Sequence, residues 1–308
     1  MTLTDEQYHD LDFTYHTLSW NIIQGKREGD DTKRPDLPNF RDYFDSKQTV
    51  PYEALVEHMK QANKLLMVVL GKQRDGKYTL TCWDIDTKDE NIRRLFLHYY
   101  PSSLWQETRD GYHFFFGIQG DPDEVRRYFE SKDLLGKQYS ITDDIKVEVY
   151  TANRAIAFIG ERYGKLQGNL EFLKKEDFCD AKVAFIHALH LYAYLKDYYK
   201  PDYRDKIVFR LSGILAKKRI PKHIGLNIID GLASIFNDEE RKSRLKVTED
   251  SYKDYADGKP LNTKLEEVIP KDVAKKIYEY FDYKPNGNGK KEKVDKEKEK
   301  GKGKEKKE

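Results

Sequence analysis

Cysteine is nearly absent: Cys82 and Cys179 are the two in 308 residues, and they lie far apart. Without a C-x-x-C pair no zinc site of the knuckle or ribbon type is expected. In a reducing compartment a disulfide is not expected either. No apolar run approaches the ~18–20 residues that a membrane helix requires. The opening MTLTDEQYHDLDF lacks the basic–apolar–small pattern of a leader. Both observations lead us to expect a soluble, cytoplasmic protein with no membrane partner. The phosphate loop G-x-x-x-x-G-K-[ST] is missing, so no helicase motor of that type is fused to this chain. Net positive charge is scarce as well. The total is +2, and Lys290 to Glu308 alone holds ten lysines against six acids, a net of +4, which leaves the remainder at −2. A globally basic surface is thereby excluded, and any contact with nucleic acid has to come from a local patch.

Charged residues make up 36% and hydrophobic residues 38%, with 22 Tyr and 15 Phe available for a core. The length suits two ordinary domains. The first stretch, punctuated by Pro35, Pro38 and Pro51, reads as a loop-rich lead-in. Tyr52 to Asn63 has helical periodicity, and Leu65 to Leu70 (LLMVVL) reads as a buried strand. Gly71 to Gly76 is turn material, which pairs that strand with Tyr78 to Asp86 (YTLTCWDID) as an expected hairpin. A helix over Glu90 to Leu97 and strands at Tyr112 to Ile118, Ile145 to Tyr150 and Ala155 to Ile159 follow. Asp121 with Pro122 and first-turn acids predicts a helix start running to Phe129. After about residue 170 the pattern becomes helical: Ala181–Tyr199, Lys206–Lys218, a helix opened by Pro221, Asp238–Tyr255 and Val268–Phe281. Beyond Pro285 the Lys/Glu-rich sequence has one apolar residue, Val294, and is expected to be disordered. The expected fold is an α+β domain over residues 1–170, an all-α helical bundle over 171–284 and a disordered tail over 285–308.

Asp84 and Asp86 stand two apart in the predicted strand, so both carboxylates project from one face, ~6–7 Å apart. Trp83 and Ile85 point the other way. Paired carboxylates repel unless a cation relieves them, and hard oxygen ligands suit Mg²⁺ or Mn²⁺. Taken singly, D-x-D equally describes a strand end running into a polar loop. Glu148 projects opposite to Ile145, Val147 and Val149 and offers a third carboxylate, although a lone Glu is more often an exposed edge residue. Three such groups could hold two metals ~4 Å apart, as nucleotidyl transfer requires. His113 follows Gly111 at the start of an aromatic strand. A glycine there permits close backbone approach to a ligand, and the imidazole could donate to a phosphate oxygen. The plainer reading is a hydrogen-bonded strand histidine on a solvent face.

The order of these features resembles the archaeo-eukaryotic primase superfamily, in particular the bifunctional primase–polymerases of archaeal plasmid and virus type. The pieces are KRPDLPNF, VVLGKQRDGKYTLTCWDID, ETRDGYHFFFG and IKVEVYTANRAIAFIGERYG, between Lys33 and Tyr163. The resemblance implies an RRM-like sheet core, catalytic metals on Asp84, Asp86 and Glu148, and contact of His113 with the nucleotide's phosphates. Relatives often carry Ser two residues before this His; here Gly111 leaves only backbone for that contact. Arg154 falls where relatives often place a phosphate-binding base, with Arg162 and Lys165 as competitors. The helical half resembles the region that follows the catalytic domain in these proteins. Between Tyr203 and Lys222 it carries seven basic residues and one acid. Lys206, Arg210, Lys217, Lys218, Arg219 and Lys222 are therefore candidate template contacts, or else a solvated helix face.

The expected function is a DNA primase–polymerase that makes and extends primers on single-stranded DNA from NTPs or dNTPs, with a separately encoded helicase. The alternatives are a primer-extending repair polymerase that cannot initiate, a non-catalytic single-strand-binding replication accessory, and a metal-dependent nuclease.

Overall fold

The computed structural model describes residues 3–28, 32–37, 43, 48–134, 136–152 and 154–284. The chain is α+β, with largely antiparallel sheets. The Lys/Glu-rich segment 285–308, and Pro38 to Phe40 of the lead-in, lie outside the described residues.

The lead-in is structured, contrary to the loop expected there. Helix α1 (Asp5–Asp12) opens on a capping box in which Thr4 and Gln7 satisfy each other's backbone N–H. It continues as a π-helical turn over Phe13–Thr17 and delivers strands β1 (Ile22–Glu28) and β2 (Thr32–Pro35). Pro35 ends an edge strand, where its missing N–H costs no ladder bond. The three prolines made the segment look like loop, whereas Thr4-Asp5-Glu6-Gln7 carried the helix signal.

Helix α2 (Tyr52–Met59) leads into β3 (Lys64–Val69). Here the expected hairpin fails. β3 joins a four-stranded antiparallel sheet ordered β10-β3-β1-β2, with β10 at Ala155–Ile159. The short β4 (Gly71–Lys72), not β3, pairs with β5 (Tyr78–Asp86). Gly71, at φ 110°, turns the chain out of one sheet and into the other. A continuously apolar strand needs cover on both faces, and an interior position in the first sheet supplies it.

The second sheet carries the order β11-β7-β5-β9-β8, with β7 at Tyr112–Gln119, β8 at Gly136–Thr142, β9 at Ile145–Tyr150 and β11 at Glu171–Leu173. The outer edge of β7 is shared. β6 (Leu104–Glu107) runs antiparallel along its first half and β11 runs parallel along its second. One face of this sheet presents Trp83, Ile85, Tyr112, Phe114, Phe116, Val147 and Val149, all buried. They pack in one core with α3 (Glu90–Tyr99), α4 (Pro122–Ser131, capped by Asp121 as expected) and α5 (Lys175–Leu195). Phe96 of α3 stacks on Phe114 at 3.9 Å, and Phe185 of α5 meets Trp83 edge-on at 5.4 Å. Fully burying each such ring stabilises by roughly 2–3 kcal/mol. Residues on both sides of position 170 therefore fill a single core. The other face buries Leu80, Cys82, Leu104 and Phe115 against Trp20 and the first sheet.

The helices α6 (Pro201–Lys217), α7 (Lys222–Ile235), α8 (Arg241–Ala256) and α9 (Lys271–Tyr280) complete the helical half. No helix among the described residues is long and apolar enough to cross a membrane.

Between α5 and α9, the His187 imidazole shares a 2.7 Å hydrogen bond with the Tyr280 hydroxyl, and the His190 ring lies 4.1 Å from the Tyr280 ring. Burial pushes both imidazoles down to about 4, aided at His187 by Lys182 and at His190 by His187. The unfolded chain takes up these protons near pH 6.5, and the folded chain resists until about 4. Stability is thus full above 6.5 and is lost as pH falls toward 4, by at most ~1.4 kcal/mol per pH unit per histidine. Urea titrations from pH 7 to 4 should show this loss, and His190→Phe should reduce it by about half.

Candidate functional site

Strand β5 is central, and its two ladders set the site. Asp84 stands directly opposite His113 on β7 and directly opposite Glu148 on β9. The row extends outward, because Gln106 of β6 is opposite His113 and Gln138 of β8 is opposite Glu148. Register partners share a face, so the five side chains form one polar row across five strands. It lies one step beyond Cys82 and Phe115, where the cover of the first sheet ends. Asp86, two residues on, faces Lys146. Glu148 is flanked by β5 and β8 and so does not sit on an edge strand. His113 is buried at 4% exposure, not on a solvent face.

The His113 Nε2 lies 3.4 Å from Asp84 Oδ1, and its Nδ1 lies 3.1 Å from Gln106 Nε2. Burial would raise the Asp84 carboxyl, but His113, by charge and hydrogen bond, and Lys33 together hold it below the ordinary range. Asp86 goes the other way. Burial raises it first, and repulsion from Asp84, Glu148 and Asp110 adds to this. Glu148 accepts a hydrogen bond from the Tyr150 hydroxyl. With Asp84 turned to His113 and Glu148 to Tyr150, no three His, Cys, Asp or Glu side chains among the described residues are gathered around one point as a metal would need. The donor set itself fits a hard divalent cation. Its members are carboxylates, and the repulsion felt at Asp86 is what a cation would relieve.

Beside Asp86 opens a cleft of about 410 Å³. Its basic side chains are Arg27, Lys33, Arg109, Lys146 and Arg162, and its acids are Asp86, Asp110, Asp143 and Asp144. Arg27 and Lys33 are register partners on β1 and β2, so the first sheet brings them over the second. The sequence reading treated this stretch as loop and assigned them no role. Lys26-Arg27 and Lys33-Arg34 are adjacent basic pairs, and no local pattern tells which member of each faces the cleft.

The remaining candidates fall in different places. Arg154 is exposed, with its guanidinium 5.2 Å from the Tyr150 ring centroid, and it does not line the cleft. Arg162, its competitor, does line it, while Lys165 lies 3.7 Å from Glu6. Gly111 is buried, and the backbone that approaches it is the chain's own: an added Cβ would meet the Ile85 carbonyl oxygen at 1.8 Å. Four of the six basic residues proposed for a template are engaged internally. Arg210 donates to Lys264 O and Glu267, Lys217 to Leu261 O and the Tyr283 hydroxyl, and Lys218 to Asp282 O, while Lys222 lies 3.8 Å from Glu249. Lys206 and Arg219 are exposed.

Gly111→Ala forces backbone against backbone, which cannot give way as a side chain would. It should destabilise the fold by about 1–3 kcal/mol in urea unfolding and displace the β5 end that carries Asp86. No protein-family model matches this chain, and a search of curated proteins finds no match.

Proposed function

We propose that this chain is a metal-dependent nucleotidyltransferase, a DNA primase–polymerase that synthesises primers on single-stranded DNA and extends them. The observation that carries this reading is the His113–Asp84–Glu148 row on three adjacent strands, opening beside Asp86 onto a cleft with five basic side chains. The cleft volume falls in the range of small-molecule sites, and its five basic side chains, set among four acids, suit the triphosphate of an NTP or dNTP that arrives with a cation.

Asp84, Asp86 and Glu148 would hold Mg²⁺ or Mn²⁺, once Asp84 turns from His113 and Glu148 from Tyr150. Bound there, two such ions lower the barrier to attack of a 3′ hydroxyl on an α-phosphate by stabilising the charge that develops. Arg27, Lys33 and Arg162 bind the phosphates and orient them, and His113 donates Nε2–H to a phosphate oxygen. Asp84, already ionised, needs no proton removed before it takes a cation. Lys206 and Arg219 are the template contacts of the helical half that we retain first. Unwinding of duplex DNA falls to a separate helicase.

A specific observation favours a second reading, the polymerase that extends primers without initiating. Most of the basic patch expected to grip template or initiating nucleotide is tied within the helical half. An assay with single-stranded template and labelled nucleotides but no primer separates the two.

Asp84→Ala combined with Asp86→Ala should reduce nucleotide addition to background with Mg²⁺ and with Mn²⁺ while single-strand binding persists. Synthesis retained by the double variant would sink the proposal. Arg162→Ala should raise the nucleotide KM about ten- to hundredfold, the worth of a charge-assisted contact, and Arg154→Ala should have the smaller effect.

A further inference from the structure

Gln106 is a fully buried amide on β6, a strand that read as nothing in the sequence. Its position opposite His113 in the β6–β7 ladder puts both side chains on the polar face of the sheet. The amide nitrogen can only donate, and it lies 3.1 Å from His113 Nδ1. Nδ1 must then offer its lone pair, so the ring proton sits on Nε2, which faces Asp84 Oδ1 at 3.4 Å. Two aromatic rings fix the plane of the imidazole: Tyr163 lies near-parallel at 6.0 Å and Phe115 edge-on at 6.1 Å. Stacking thus sets where the ring lies, and the amide, together with the Asp84 carboxylate, sets which nitrogen carries the proton. The amide oxygen of Gln106 is buried and has no hydrogen-bond partner among the described residues. In a neutral ring, turning the amide over would place that oxygen at Nδ1, demand the proton there and leave a bare Nε2 facing the Asp84 carboxylate.

We propose that Gln106 is a positioning residue that locks His113 in its Nε2–H tautomer and so aims one N–H donor along the row toward Asp84. When Asp84 turns to a cation, that same N–H is released to a phosphate oxygen of the nucleotide. The release step rests on the nucleotidyl-transfer reading, whereas the tautomer lock does not.

The test separates the two. In the full, ligand-free chain, ¹⁵N–¹H correlation spectra of the imidazoles, at a pH where they are neutral, report the tautomer. The His113 signal is identified by its loss in His113→Gln. The expected wild-type pattern is Nε2–H. Asp84→Ala first removes the carboxylate that also favours Nε2–H; in that background Gln106→Met, close to isosteric, removes the donor and should give a mixture of tautomers or Nδ1–H; Gln106→Leu is the second variant. A wild-type Nδ1–H pattern, or an Nε2–H pattern left unchanged by Gln106→Met in a folded Asp84→Ala background, overturns the lock. In nucleotide addition, Gln106→Met should raise the nucleotide KM roughly tenfold and lower kcat less. An unchanged KM overturns the release step. A wild type inactive with every nucleotide, yet showing Nε2–H that Gln106→Met loses in the Asp84→Ala background, counts against the nucleotidyl-transfer reading and supports the lock.

Discussion

A slip of one residue between β5 and either neighbour would turn Trp83 and Ile85 toward water and drive Asp84 and Asp86 into an aromatic core. Nothing in the core could pair those carboxylates, so the slipped state is strongly disfavoured. This constraint comes from β7 on one side and β9 on the other, with Trp83 wedged among Phe96, Tyr100, Phe178 and Phe185 on the buried face. Helix α5 supplies two of those rings, so helical and sheet residues jointly hold the register. The position of Asp84 relative to His113 and Glu148 is thus a consequence of apolar packing on the face away from them.

The polar face carries an electrostatic imbalance. Three carboxylates lie within two register steps, and Asp84 is held below the ordinary carboxyl range. Asp86 is pushed up by burial and by its acidic neighbours. Across the cleft, Arg27, Lys33 and Arg162 come from the other sheet and the segment after it. Both signs of charge thus line one cleft, which leaves room for a ligand carrying both a cation and phosphates.

Much of this was legible in advance. Alternation in YTLTCWDID put Asp84 and Asp86 on one face, and branched residues at 145, 147 and 149 put Glu148 opposite them. Asp121-Pro122 marked a helix start that the backbone adopts. The helices after residue 170 followed their apolar stripes to within a few residues, apart from the earlier starts of α5 at Lys175 and of α6 at Pro201. Gly111 was read as a place where backbone meets ligand, because a glycine requirement does not say what approaches.

What the sequence determined by itself is local: which residues alternate, which carboxylates share a face and where helices begin. These follow from the two-residue period of a strand and the 3.6-residue period of a helix, both short-range. Which strand lies beside which was decided only by tertiary structure. LLMVVL could have paired with YTLTCWDID, and it joined the other sheet because an apolar strand needs cover on both faces. For the same reason Gln106, Arg27, Lys33 and Arg162 reach the site through long-range ladders and packing, which no local pattern encodes.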